Sequence, residues 1–141
     1  MSVTSAPATG TDVTVTRTSS RARTRGIAVA GAGLAALGGW GIGALLGADY
    51  WITDVQGTAR VDIPATVGST IVVALLGWAL LAVLERVASW GRTAWTFIAV
   101  GVLAVSMTPI GLVEATASTR IGLMIAHLAV AAVLIPAFTR R

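Results

Sequence analysis

The chain has 141 residues, 55% of them hydrophobic and only 11% charged, with a mean hydropathy of +0.84. Soluble domains seldom have such a composition, so the first inference is a membrane protein with room for one compact bundle. Its ten basic residues are all arginine, for a net charge of +4, and they cluster beside apolar stretches, a pattern that suits membrane orientation and not nucleic acid.

With no cysteine in the chain, thiol redox chemistry, disulfides and cysteine metal sites are excluded. One histidine leaves too few ligands for an all-protein zinc site, so no metal and no cofactor is expected.

Residues 1–25 are rich in Ser, Thr and Ala and end in Arg17, Arg21, Arg23 and Arg25; with so little apolar surface they read as a disordered basic tail. The next stretch, 26–48, is uncharged, and as a helix it is about 35 Å long, enough to cross a bilayer core. Arginines before an apolar run resemble a signal peptide, but this run is too long and 46–48 is a poor cleavage site, so an uncleaved first span is expected. Gly31, Ala35, Gly39, Gly43 and Gly47 recur every fourth position. They form a small-residue stripe that lets another helix approach closely, either in the same chain or in a homodimer.

A polar loop follows, containing Asp49, Asp54, Arg60 and Asp62 and opened by Tyr50 and Trp51, two aromatics that fit the interfacial belt. The acidic spacing matches no calcium loop. Pro64 is suited to begin the second span, at 65–84. Glu85-Arg86 marks its end as a solvated boundary, and a short turn leads to a third span at 93–113. Pro109 is expected to kink or end that helix near Thr108. The fourth span covers 120–138. Trp51, Trp90 and Trp95 read as surface anchors, with Trp78 deeper.

Eight of the ten arginines lie in the tail, the second loop and the C-terminus; the positive-inside rule then puts both termini in the cytoplasm. The expected fold is all-α, a four-transmembrane-helix bundle formed by 26–141.

The segments Leu76-Gly77-Trp78-Ala79-Leu80-Leu81, Leu84-Glu85-Arg86 and His127-Leu128-Ala129-Val130-Ala131-Ala132-Val133-Leu134-Ile135-Pro136, with the four-span layout, resemble a family of small actinobacterial membrane proteins catalogued as a domain of unknown function. The resemblance covers about 26–138. It implies a four-helix membrane fold in a bacterial plasma membrane, and no activity.

His127 is the only ionisable side chain well inside a span, which makes it a candidate functional residue. Helical rise places it about 10 Å below the outer edge. Ser106, Thr108 and Trp40 fall at comparable depth, Ser69 lies somewhat nearer the outer surface, and Glu114 lies near the outer end of the third span. A polar cluster of these six residues in the outer half of the bundle is the candidate ligand site. The plainer reading of His127 is a neutral imidazole making one interhelical hydrogen bond, worth about 1 kcal/mol.

The first expectation for function is a non-enzymatic structural or accessory subunit bound to lipid and to a larger membrane-protein partner. The alternative is a small transporter or ligand-binding protein using the His127 cluster. The first span lacks the embedded glutamate of small multidrug exporters, and no residue within the spans is placed to orient His127 as a catalytic base.

Overall fold

The computed structural model describes residues 12–140, with side chains from Arg21 onward. Residues 1–11 of the expected tail, the side chain of Arg17 and Arg141 lie outside the described residues. The elements in order are α1 (Asp12–Leu45), β1 (Trp51–Asp54), β2 (Gly57–Arg60), α2 (Ile63–Val87), α3 (Gly91–Leu112) and α4 (Ala117–Thr139). All four helices contain a stretch long and apolar enough to cross a membrane.

Two expectations are corrected here. First, 12–25 is not a loose tail but continues the first span as helix, so α1 is about 51 Å long. Second, the polar loop is structured. Strands β1 and β2 pair antiparallel, from Trp51 opposite Arg60 to Asp54 opposite Gly57, so the fold is mostly helical with one small β-hairpin. Asp54 accepts from the Gln56 N–H at 2.8 Å and closes the two-residue turn. The hairpin is tied to the α3–α4 connection by two backbone bonds between Thr53 and Glu114, at 3.0 and 3.1 Å.

Local chemistry explains the helix ends. Gly47, with φ +83°, turns the chain out of α1, while the Ala48 and Gly47 N–H groups donate to Gly43 and Ala44 carbonyls. Asp62 caps α2 by accepting from the Ala65 N–H, and Thr116 caps α4 by accepting from that of Thr119. Pro109 does not end α3 at Thr108. It sits in the final turn, and helix continues to Leu112 with the Val113 N–H on the Pro109 carbonyl.

Helix α1 lies between α2 and α4, and its contact with α4 is the most extensive in the molecule. Added Cβ atoms show how close the two backbones come. At Gly39 one would overlap the backbone of Ala126; at Gly43 one would lie 2.7 Å from the Gly122 Cα. Gly31 faces Val133 more loosely, at 3.4 Å. The predicted stripe therefore packs against α4 of its own chain through these three glycines. Ala35 is only half-buried, and Gly47 lies beyond the helix in open space.

Helix α3 closes the bundle against α2 and α4, while α2 and α4 scarcely touch. Ala28, Ala32, Leu81, Trp95, Leu134 and Phe138 pack as a core at the end that holds the chain termini. Much of the apolar surface of α2 and α3 stays exposed, including Val72, Leu76, Phe97 and Val105, as expected of helices whose solvent is lipid.

Candidate functional site

Because α1 and α4 meet at glycine while α2 and α4 stand apart, the bundle keeps a cavity of about 590 Å³ between α2, α3 and α4. That is within the range of about 300–1,000 Å³ usual for small-molecule sites. Its wall is mainly aliphatic, from residues such as Val73, Leu103 and Val130, and Trp95 and Phe138 line it at the end nearer the termini. Lining residues Leu76 and Val102 remain 64% and 56% exposed, so the cavity borders the apolar surroundings of the bundle.

Of the six residues predicted to cluster, the cavity gathers three: His127, Ser106 and Ser69. Thr66 and Thr70 join them from α2, one helical turn apart on the same face. Thr108 is exposed on α3, and the exposed Glu114 pairs through its backbone with Thr53. Neither lines the cavity.

No hydrogen bond joins His127 to another helix among the described residues. Its Nδ1 is bonded instead to the Leu123 carbonyl, one turn back on α4, at 2.8 Å. Ser106 likewise donates to Leu103 at 2.7 Å, and Ser69 and Thr70 both donate to the Thr66 carbonyl.

Trp40 belongs to a second site, at the hairpin end. Its indole N–H donates to the Val61 carbonyl at 3.1 Å, and its ring stacks on Tyr50 with centroids 4.7 Å apart. Tyr50 is no interfacial anchor, since it is only 1% exposed. Its hydroxyl donates to the Trp40 carbonyl, and its backbone adopts φ +58°. This left-handed conformation is held by a bond from the Tyr50 N–H to Thr119 Oγ1 at 3.1 Å.

Thr119 is fully buried and donates in turn to Asp49 Oδ1 at 2.8 Å. That bond is the main cause of an Asp49 carboxyl pKa below the ordinary value. Burial pushes the Tyr50 phenol up. Asp49, Tyr50 and Thr119 were not foreseen as a unit. The one local signal is Thr116 ahead of an apolar run, a residue type suited to cap a helix start.

The third polar site is at the opposite end. Glu85, expected to be solvated, accepts from Arg25 Nη2 at 2.8 and 2.9 Å and from Arg92 Nε at 2.7 Å. One carboxylate thereby joins α1, α2 and the start of α3, with the Arg25 side chain only 12% exposed. Trp95 also departs from expectation: it is buried, donates to the Gly77 carbonyl at 2.8 Å and packs against Phe138.

Four helices long and apolar enough to cross a membrane are consistent with the class of multi-pass helical membrane proteins. The chain belongs to a family of unknown function (DUF6069), whose profile matches residues 16–141. Neither a curated protein nor a solved structure matches it.

Proposed function

We propose that this is a non-enzymatic protein of the bacterial plasma membrane that holds an apolar small molecule between α2, α3 and α4, with both termini cytoplasmic. One observation carries the reading: an aliphatic cavity of about 590 Å³ with a few polar groups at one end. Ligand sites combine those properties.

Two features favour binding over transport or chemistry. The inner end is lined by Trp95, Leu134 and Phe138, so among the described residues no polar path continues across the bundle. His127 is held by its own helix carbonyl and, among the described residues, has no hydroxyl bonded to it as a nucleophile. The cytoplasmic placement of the termini rests on the arginines at that end, among them Arg25, Arg86, Arg92 and Arg140. With no native cysteine, single cysteines at Ser89 and Gln56 test it directly: an impermeant maleimide added to intact cells should label Gln56→Cys alone.

The cavity is tested by filling it. A photoreactive alkyl probe in phosphatidylcholine nanodiscs should label cavity-lining peptides of the wild type. Ala99→Phe should remove that labelling while the protein stays monodisperse. Equal labelling of the filled variant would refute the reading.

A further inference from the structure

The cavity has a chemical polarity that its size does not reveal. Six side chains lining it can donate a hydrogen bond: Thr66, Ser69, Thr70, Trp95, Ser106 and His127. Each is already committed to a backbone carbonyl. Thr66 donates to Asp62 at 2.8 Å, Ser69 and Thr70 to Thr66 at 3.2 and 2.7 Å, Ser106 to Leu103 at 2.7 Å, and Trp95 to Gly77 at 2.8 Å.

For His127 the partner decides the tautomer. A carbonyl can only accept, so Nδ1 carries the proton it gives to Leu123. Nε2 of the neutral ring then presents a lone pair. The lining therefore offers unused acceptors at His127 and the hydroxyl oxygens, and no uncommitted side-chain donor among the described residues.

A ligand must answer that pattern. An ester, ketone or ether brings only acceptors, and serving one would break a bond already made. A carboxylate or phosphate would bring charge as well, with no cation in the lining to meet it. An ammonium could donate, but no acidic residue lines the cavity among the described residues, and an unpaired charge at membrane depth is costly. A neutral hydroxyl meets none of these objections.

The polar groups also gather toward the hairpin end, from Thr66 near the start of α2 to Ser106 in the last two turns of α3. The end toward Trp95 and Phe138 is apolar. A headgroup at one end and a tail at the other suit that division.

We infer that the cavity takes a long-chain alcohol or phenol, its hydroxyl donating to His127 Nε2 and its apolar tail running toward Trp95 and Phe138. This rests on the cavity being the ligand site, and the test separates the two claims. Diazirine-bearing dodecanol and its methyl ether, which differ in one donor, are photo-crosslinked to the full chain in phosphatidylcholine nanodiscs. Labelling is mapped to α2, α3 and α4.

The alcohol should label cavity peptides about five- to tenfold more than the ether, the worth of one hydrogen bond. Equal labelling by both probes would overturn the hydroxyl assignment and leave the ligand site standing. Labelling by neither would overturn both.

His127→Leu should bring the alcohol down to the level of the ether, and His127→Gln, which keeps an acceptor, should retain most of the preference. Because His127 is the only histidine, its ¹⁵N spectrum in the unmodified protein provides a readout independent of folding in the variants. It should show a protonated Nδ1 and a bare Nε2 whose resonance moves with dodecanol and not with the ether. A protonated Nε2 with a bare Nδ1 would overturn the assignment.

Discussion

The two sides of α4 are built on opposite principles. Toward α1, Gly39 and Gly43 bring backbone against backbone at Ala126 and Gly122. Toward α2, the same helix turns His127, Val130 and Leu134 to an open space of about 590 Å³. In lipid no hydrophobic force pulls helices together, so contact depends on how closely their surfaces fit. Small residues on one face make a tight pair, and larger ones on the other prop the helices apart. The tight α1–α4 pair and the cavity are two outcomes of one distribution of side-chain size.

That contrast is broken most sharply by adding the same three carbons to each side. Gly39→Val drives a side chain into the backbone of Ala126 and should cost on the order of 3 kcal/mol. Ala99→Leu adds its carbons beside the cavity, which has room for them, and should cost under about 1 kcal/mol. Denaturant unfolding of both variants in the same detergent checks this. Similar losses would mean that the α1–α4 contact is no tighter than the cavity wall.

The next effect concerns the polar ends. Glu85→Ala leaves Arg25 and Arg92 without their shared carboxylate. Breaking a fully buried pair costs about 3–5 kcal/mol, but these side chains are 12–27% exposed and water screens part of the loss. About 1–2 kcal/mol is expected in the same unfolding assay. Glu85→Gln, which keeps an acceptor, should lose less.

The spans and the glycine face were legible because both follow from the identity of residues within one helix. Apolar length marks the four spans, and spacing of four marks the stripe, of which Gly31, Gly39 and Gly43 face α4. Gly47 lies off that face because α1 ends at Leu45 and Gly47 itself turns the chain with positive φ. The hairpin was hidden by strands of four residues and by a Val55-Gln56 turn without the Asn-Gly or Asp-Gly signal.

Tyr50 and Trp95 were misread for a shared reason. Aromatics near span ends suggest an interfacial belt by position alone. Their burial depends on Thr119 and Gly77, 69 and 18 residues away in sequence. Glu85 similarly meets Arg25 across 60 residues. The cavity was the least legible feature, since it depends on α2 and α4 failing to meet.

The smallest effects distinguish the hairpin end from the charged end by pH. Asp49 has a folded-state pKa below its ordinary value, chiefly because Thr119 donates to it. Its contribution to stability is therefore complete above the unfolded value, about pH 4, and is lost as pH falls through the lower folded value. Asp49→Asn should flatten that acid limb by lowering the neutral plateau slightly toward the acid value, read from denaturant unfolding at pH 7 and pH 3.

Tyr50 shifts the other way. Burial raises its pKa, so the unfolded phenol ionises first, and stability falls as pH rises above about 10. It is the only tyrosine in the chain, so tyrosinate absorbance near 295 nm reports it alone. The folded protein should ionise late and abruptly, together with loss of structure, whereas Trp40→Ala should unstack the ring and let it titrate earlier. An ordinary, gradual phenol titration in the folded wild type would mean that water reaches the Tyr50 hydroxyl and that the α1–α4 junction is looser than its glycine contacts require.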